Sequence, residues 1–486
     1  MTSTSSAPDR EALRLMRSGH YADALHFARR AVAASLGCSP AHGLLATILM
    51  HLGQREEAQA VVSAGLDRGP GTADAYDALA FVLLQLGSYE RANALYRRAA
   101  ALGGGSARYW YNLASSERSF GRLQLAEEAC DRAIALDPQH YQSYLLRSEL
   151  RQQSDANNHV AEMERMLAHP NATDRAQMFL GYALGKELDD LGRHSEAFRW
   201  FSQAAAVRRR SLIYDVASDE RKLARIAECF PLSDHAARTA HPGSACFIFI
   251  LGLPRSGTTL LERMLLRLPK VRSNGETENL SRALLAEAPP DGADVFARAA
   301  MADFDRVGQH YAKLAGGTAE GKVIEKLPLN YLYLGAMQRA LPAATPLLVT
   351  REPVDSCFAM YRTLFGEAYP FTYDFSDLAR YFAAYRRLVE HWRRSLGEWL
   401  VEITYEELVK QPVRVGAYSA DACGLIWDES AVEIHRGAGV SMTASAAQIR
   451  QPIYQSSVGK WRHYERHLAP LIVALRAQGV AVVDAD

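Results

Sequence analysis

The sequence lacks any excess of charge of one sign. Its 486 residues include 55 lysines and arginines against 55 aspartates and glutamates, so the formal net charge at pH 7 is zero. Binding to nucleic acids and to anionic membranes depends on excess positive charge. Neither is therefore an expected partner of the chain as a whole, although a locally basic cleft is compatible with these counts.

Long apolar segments and closely spaced cysteines are also missing. The sequence has no apolar run of about 18 residues, the length needed to cross a bilayer. The polar N-terminal stretch lacks the apolar centre of a signal peptide. The six cysteines lie far apart, without the CxxC spacing of zinc or redox sites. We expect a cytoplasmic protein with reduced thiols, no metal site and no membrane association.

Glycine and alanine recur with a fixed period in the first part of the chain. Glycines stand 34 residues apart, each followed five positions later by an alanine: Gly19, Gly53, Gly87 and Gly121, with Ala24, Ala58, Ala92 and Ala126. This pattern resembles the tetratricopeptide repeat, in which two antiparallel helices meet at a glycine turn. Gly192 and Ala197 keep the spacing of five and predict a diverged fifth copy, after an insertion around residues 153–175. The resemblance implies a helical array over residues 1–215.

The hydrophobic period changes in the second half of the chain. A linker over residues 216–243 contains a helical pattern at 218–230, and CFIFILG (246–252) then reads as a buried strand followed by a loop and a helix. Further strands are predicted at 322–326, 345–351 and 399–405, with helical patterns between them. This alternation predicts an α/β domain with a parallel sheet over residues 244–486 and a ligand site at the carboxyl ends of its strands.

The loop after the first predicted strand has nearly the spacing of a Walker phosphate loop. Gly252 and Gly257 bracket four residues, and Thr258 and Thr259 follow. A glycine turn that leads into a helix N-terminus presents N–H groups and a positive dipole end, which suit a phosphate or a sulfate. Thr258 occupies the position of the lysine that binds the β- and γ-phosphates in nucleoside triphosphatases. Arg255, inside the loop, supplies a permanent positive charge instead.

The stretch PRSGTTLLE (254–262) resembles the 5′-phosphosulfate loop of sulfotransferases that use 3′-phosphoadenosine 5′-phosphosulfate. It is similar to the branch that contains tyrosylprotein sulfotransferases and bacterial enzymes that join tetratricopeptide repeats to a sulfotransferase domain. Later segments follow in the family's order: SNGETENL, EKLPLNYLYLG, LLVTREPVDSCFAMY, VEITYEELVKQP and QPIYQSSVGKWRHYERHL. The resemblance covers about residues 245–470. It implies a multidomain α + α/β protein, a helical repeat array followed by a P-loop-like parallel-sheet sulfotransferase domain.

The resemblance implies a catalytic set of Glu276, Arg255, Lys326 and Ser457. Glu276 would be the general base that takes the proton of the acceptor hydroxyl, with Glu278 as the competing candidate. Arg255 and Lys326 would neutralise the charge that develops on the bridging oxygen and the transferred group. Ser457 would donate a hydrogen bond to the leaving phosphate.

The same resemblance implies that 3′-phosphoadenosine 5′-phosphosulfate is a co-substrate, with no metal. Its expected binding residues are Arg255, Ser256, Gly257, Thr258, Thr259, Arg351, Tyr405, Ser457, Val458, Gly459 and Lys460. Arg351 and Lys460 would bind the 3′-phosphate. Relatives carry a serine where this chain has Ala359. Ser356 is separated from that position by about 300° of helical turn and is not expected to replace it, so the 3′-phosphate pocket is expected to lack one hydroxyl. Trp461 would either stack on the adenine or anchor the core.

The sequence thus predicts transfer of a sulfuryl group to an acceptor hydroxyl, such as a tyrosine of a peptide or protein. Tandem repeats often bind peptides, which favours a peptide or protein acceptor. The same repeats could instead form homo-oligomer contacts or border a pocket for a hydroxylated small molecule, which is the other candidate acceptor. Two alternatives stay open. One is a P-loop phosphoryl transferase, which Thr258 disfavours, and the other is a silent repeat scaffold with a vestigial nucleotide domain.

Overall fold

The computed structural model describes residues 7–35, 37–232, 244–317, 321–436 and 450–483. The chain divides into two compact units, with the boundary between Ala183 and Leu184. Within the described ranges, no helix combines the length and the apolar character that a bilayer crossing requires.

Paired helices build the first unit. They are α1 (Ala7–Arg17), α2 (Tyr21–Ala33), α3 (Pro40–His51), α4 (Arg55–Asp67), α5 (Ala73–Gln85), α6 (Tyr89–Leu102), α7 (Ala107–Phe120), α8 (Leu123–Leu136), α9 (Tyr141–Glu149) and α10 (Val160–Leu167). The four predicted turn glycines lie between the members of successive pairs with φ of 74° to 80°, a conformation that favours glycine. The four predicted alanines are 0% exposed, which lets the paired helices approach closely. The predicted helical repeats are confirmed.

The predicted fifth copy also forms a helix pair. Helices α11 (Asp174–Asp190) and α12 (His194–Arg210) flank Gly192, whose φ is 74°, and Ala197 is fully buried. Helix α10 lies in the predicted insertion. The boundary between the compact units falls within α11, and the residues from Leu184 onward belong to the second unit. The domain limits at 215 and 243 stay predictions, and the linker residues 233–243 lie outside the described ones.

A parallel sheet organises the second unit. In the described part of this unit its strands are β1 (Phe247–Gly252), β2 (Val271–Ser273), β3 (Lys322–Lys326), β4 (Thr345–Thr350) and β5 (Val401–Thr404), in the order β2-β3-β1-β4-β5. All neighbouring pairs are parallel. The helices are α13 (Val216–Cys229), α14 (Thr258–Leu265), α15 (Asn279–Glu287), α16 (Val295–Ala300), α17 (Phe304–Ala315), α18 (Leu334–Ala340), α19 (Pro353–Tyr361), α20 (Phe375–Leu396), α21 (Tyr405–Lys410), α22 (Pro412–Ala422) and α23 (Glu465–Ala477). The predicted fold class is confirmed.

Strand β1 is the buried centre of the sheet. All six of its residues are buried, as expected for a short apolar run that is covered on both faces. The predicted apolar stripe of α14 packs in the same core as β1, with Leu261, Met264 and Leu265 each 0% exposed. The strand that follows β1 in the sequence, β2, lies at one edge of the sheet, and the strand that follows β4, β5, lies at the opposite edge. The loops after β1 and β4 therefore diverge, and a crevice opens between their carboxyl ends, where such sheets bind ligands.

Candidate active site

The predicted site residues lie where strands end. Arg255 follows β1, Glu276 follows β2, Lys326 ends β3, Arg351 follows β4 and Tyr405 follows β5. Because the carboxyl ends of parallel strands share one edge of the sheet, these five side chains, distant in sequence, are gathered at the same edge.

The glycine loop between β1 and α14 has a backbone path that only glycine fits. Gly257 has φ of 103°, and a Cβ there would lie 2.6 Å from Cδ2 of Tyr405. Gly252 has φ of 146°, and its Cβ would lie 2.3 Å from the carbonyl oxygen of Val349 in the adjacent strand. The loop is therefore pressed against both β4 and the residue after β5.

Polar side chains of this loop are buried against the start of α14. Thr258 and Thr259 are 4% and 8% exposed, and Ser256 is 1% exposed. The Ser256 hydroxyl oxygen is buried and has no hydrogen-bond partner among the described residues. A buried polar group without a partner costs about 1–3 kcal/mol, so a ligand that accepts its hydrogen bond would gain binding energy. Arg255 is half-buried in the same loop with φ of 67°, a left-handed conformation uncommon for a residue with a side chain.

Lys326 and Glu276 form an ion pair. The Lys326 side chain is 0% exposed and its ammonium contacts Oε1 of Glu276, whose side chain is 44% exposed. Backbone hydrogen bonds fix the loop after β2 to β3: Lys326 N to Gly275 O at 3.0 Å and Asn274 N to Ile324 O at 2.8 Å. Glu278, the competing candidate, is exposed and occupies the N-cap position of α15. Of the two candidate carboxylates, Glu276 is therefore the one that contacts the predicted catalytic lysine, Lys326.

A second, fully buried carboxyl supports the same loop. Glu325 precedes Lys326, and its side chain accepts hydrogen bonds from Thr277 at 2.9 Å, Tyr311 at 3.2 Å and Asn330 at 3.3 Å. Burial raises the pKa of Glu325 to about 7, against the lowering effect of these donors. Glu325 is thus a positioning residue that joins the loop of Glu276 to the sheet interior.

The raised pKa predicts how stability depends on pH. The folded state holds the Glu325 proton more tightly than the unfolded state, where the ordinary pKa is 4.5. This contribution to stability is full below about pH 4.5 and is lost as the pH rises through 7, with an upper size on the order of 3 kcal/mol. Glu325→Gln, which is neutral at every pH, should gain stability relative to wild type between pH 5 and pH 8. Urea unfolding of both proteins at pH 5 and pH 8 gives the difference in unfolding free energy between variant and wild type. If this difference is the same at the two pH values, the raised pKa of Glu325 is contradicted.

Arg351 connects three segments of the site. Its Nη1 donates to the carbonyl oxygen of Arg255 at 3.2 Å, and its Nη2 donates to the carbonyl oxygen of Ser457. The guanidinium lies 4.5 Å from the centre of the Tyr405 ring. Its Nε is buried without a hydrogen-bond partner in the described ranges. Arg351 thus keeps one donor for a ligand while it fixes the glycine loop and the C-terminal segment.

The C-terminal segment 457–461 is tied to α19 by Asp355. This buried carboxylate accepts hydrogen bonds from Gly459 N and from Trp461 N, at 2.5 Å and 3.1 Å, and lies 3.8 Å from Arg351. Val458 is half-buried, and its N–H donates to Gln455 O at 2.9 Å. Trp461 is 2% exposed, which agrees with the core-anchor interpretation of this residue.

A cavity of 270 Å³ opens beside Arg351. Its wall includes Ser256, Ser356, Thr404 and Glu406. Ala359, where relatives carry a serine, is buried and is not among the residues that line it. Ser356 therefore brings a hydroxyl to the arginine's cavity from a different position of α19.

Lys460 lies in an ion-pair cluster that the sequence did not indicate. Its ammonium contacts Oδ2 of Asp189 at 2.6 Å. The same carboxylate binds Arg362 at 2.7 Å and accepts a hydrogen bond from the Tyr464 hydroxyl at 2.6 Å. Burial alone would raise the pKa of Asp189, but Arg362 and Lys460 outweigh it and bring the pKa down to about 2. Lys460, predicted to bind the 3′-phosphate, thus has a carboxylate partner in this structure.

The matches to known proteins agree with this architecture. Residues 248–429 match the model of the sulfotransferase family, and residues 15–80 and 78–141 match models of the tetratricopeptide repeat. The chain therefore carries tetratricopeptide repeats followed by a domain of the sulfotransferase family, as the sequence predicted.

Individual relatives are distant. An uncharacterized protein of Aquifex aeolicus (strain VF5) is 26% identical over 381 residues, which are 74% of this chain. The chain spans about half, 49%, of the length of that relative. The sulfotransferase domain of the Synechococcus PCC 7002 olefin synthase is 21% identical, with 48% of this chain and 90% of that domain covered and a TM-score of 0.35. For the tetratricopeptide-repeat protein YrrB, the identity is 18%, the covered shares are 39% and 87%, and the TM-score is 0.26.

Proposed function

We propose that this protein transfers a sulfuryl group from 3′-phosphoadenosine 5′-phosphosulfate to the hydroxyl of an acceptor. The observation that carries the proposal is the ion pair of the fully buried Lys326 with Glu276, beside a glycine loop that has no lysine of its own. A buried ammonium is costly unless a carboxylate or an anionic ligand compensates it. Its place at the carboxyl edge of the sheet makes it available to a transferred anionic group.

The donor would be bound by the glycine loop and by Arg351. The Ser256 hydroxyl and Nε of Arg351 are buried without partners among the described residues, so each can donate to an anionic oxygen. The N-terminus of α14 adds backbone N–H groups and its positive dipole end. Arg255 and Thr259 lie in the same loop and first helical turn, where they would contact the 5′-phosphosulfate.

The proposed reaction is an in-line transfer. The acceptor oxygen forms a bond to sulfur, the bond between sulfur and the bridging oxygen of the donor breaks, and the nucleotide 5′-phosphate leaves. Glu276 takes the proton of the acceptor hydroxyl. Lys326 and Arg255 compensate the negative charge that grows on the bridging oxygen, and Ser457 donates a hydrogen bond to the leaving phosphate.

For the acceptor we propose two classes of molecule rather than a single compound. Tetratricopeptide repeats often bind peptides, so a tyrosine of a peptide or protein is one proposed acceptor, and a hydroxylated small molecule is another. We place the reaction in the cytoplasm, where the free cysteines stay reduced.

Calorimetry and a transfer assay together test this function. We expect 3′-phosphoadenosine 5′-phosphate to bind the full chain, and we expect label from a ³⁵S-labelled donor to appear in phenolic acceptors. ATP with Mg²⁺ serves as the control for a phosphoryl transferase. Absence of nucleotide binding would favour the silent scaffold, and turnover of ATP alone would favour phosphoryl transfer.

A further inference from the structure

A second cavity has a volume of 400 Å³. It is formed by the connector before the matched sulfotransferase region, residues 213–222, together with the segments around Leu329 and Tyr369. Leu329 is only three residues beyond Lys326 in the chain. Burial and, second, the charge of the Glu276 carboxylate raise the pKa of Tyr369, which indicates that the two side chains lie within electrostatic range of each other. The volume is in the range of small-molecule sites.

Aromatic rings form much of the wall. Phe371 and Tyr381 stack with their ring centres 3.5 Å apart, and Tyr369 meets Phe371 edge to face at 6.1 Å. The Tyr381 hydroxyl lies 2.6 Å from that of Tyr331, so its hydrogen-bonding group already has a partner within the protein. Such a wall favours a flat aromatic ring, which gains both buried area and edge-to-face contact.

The connector makes the other side of the cavity negative. Asp215 and Asp219 line it together with one cation, Lys222, which lies 3.7 Å from Asp219. Asp215 is 66% exposed and lies 3.7 Å from Arg221. Both ion pairs are longer than hydrogen bonds, and the lining carries two carboxylates against one ammonium. Burial and the Asp219 carboxylate both raise the pKa of Tyr214, in keeping with a negative potential here.

We propose that this cavity receives the acceptor of sulfuryl transfer, and that the preferred acceptor is a phenol with a cationic group. The ring lies against Tyr369 and Phe371 with its hydroxyl toward Glu276, and the cation lies beside Asp215 and Asp219. Through these two carboxylates the connector determines which acceptors bind, and it disfavours acceptors that carry a negative charge. This inference rests on the proposed function, which it deepens.

Three phenols of similar size separate charge from shape: tyramine, 4-ethylphenol and 3-(4-hydroxyphenyl)propionate. With the labelled donor, we expect kcat/KM to fall in that order, with tyramine favoured over the propionate by about tenfold, equivalent to about 1.4 kcal/mol. The double variant Asp215→Asn with Asp219→Asn should reduce this ratio to about twofold, mainly through KM. Glu220→Gln is the matched control, because Glu220 lies on the same helix, pairs with Arg380 and does not line the cavity.

The outcomes distinguish this inference from the proposed function. Transfer to all three phenols at equal efficiency, a preference for the propionate, or an unchanged ratio in the double variant overturns the cavity assignment and leaves sulfuryl transfer standing. If none of the phenols is sulfated, saturation-transfer NMR with the desulfated nucleotide present decides instead. Binding of tyramine that the double variant loses and Glu220→Gln keeps then supports the cavity, although the transfer function has failed. Absence of tyramine binding overturns the cavity as well.

Discussion

Glu276→Gln is expected to lower kcat for sulfuryl transfer by about 10²–10⁴-fold, the usual contribution of a positioned general base. Glutamine has the shape of glutamate, and its amide oxygen can still accept a hydrogen bond from the buried ammonium of Lys326. The ammonium nevertheless loses its counter-charge, so the variant is also expected to be less stable than wild type. The loss of kcat is therefore assigned to the missing base at a temperature at which circular dichroism shows both proteins fully folded. Single-turnover measurements with saturating donor and tyramine give the rate of the chemical step.

Glu278→Gln is the matched control, because Glu278 is an exposed carboxylate two residues away. We expect it to retain activity within about threefold, since surface substitutions outside the site change energies by about 0.5 kcal/mol. Binding of 3′-phosphoadenosine 5′-phosphate should be nearly unchanged in both variants. An active Glu276→Gln enzyme together with an inactive Glu278→Gln enzyme would transfer the role of base to Glu278.

Much of the candidate site could be predicted because it depends on strand ends. The buried runs before Arg255, Lys326 and Arg351 identify parallel strands, and the parallel arrangement alone brings their following residues to one edge. The candidate roles came from the resemblance of these motifs to those of the sulfotransferase family. Even the turn glycines of the repeats follow from local rules, since their positive φ requires glycine wherever the chain reverses between paired helices.

The interactions that local patterns do not contain could not be predicted in the same way. Ser356 reaches the cavity of Arg351 through the orientation of α19, which helical spacing from Ala359 did not reveal. The raised pKa of Glu325 results from complete burial within the sheet, and a charged residue in a strand pattern gives no measure of that burial. The role of the connector in lining the second cavity likewise depends on tertiary packing.

Asp189 is the largest such omission. The sequence around it predicts a repeat helix, and Asp189 does fall within α11. Its partners Arg362, Lys460 and Tyr464 lie more than 170 residues further along the chain, at separations of 173, 271 and 275 residues. No periodic pattern connects residues so distant, and only the folded second unit shows that one carboxylate neutralises two cations.

Asp189→Asn is expected to destabilise the second unit by about 3 kcal/mol. The substitution leaves Arg362 and Lys460 side by side without a counter-charge, and removal of one partner from a buried pair costs about 3–5 kcal/mol. We take the lower end because the cations are 21% and 24% exposed. The melting temperature should fall by roughly 6–12 °C at pH 7.

The pH dependence separates this charge effect from lost packing. The pKa of Asp189 is lowered in the folded state, from 3.8 to about 2. Its stabilisation is therefore complete above pH 4 and is lost as the pH falls toward 2, so the gap between wild type and Asp189→Asn should narrow in acid. Glu196→Gln is the control: Glu196, in the neighbouring helix α12, forms an exposed pair with Arg193, and we expect its loss to cost about 0.5 kcal/mol. If both variants melt alike at pH 7, the cluster does not hold the segment that carries Lys460. If only Asp189→Asn melts early and also binds 3′-phosphoadenosine 5′-phosphate more weakly, Asp189 positions that segment for the nucleotide.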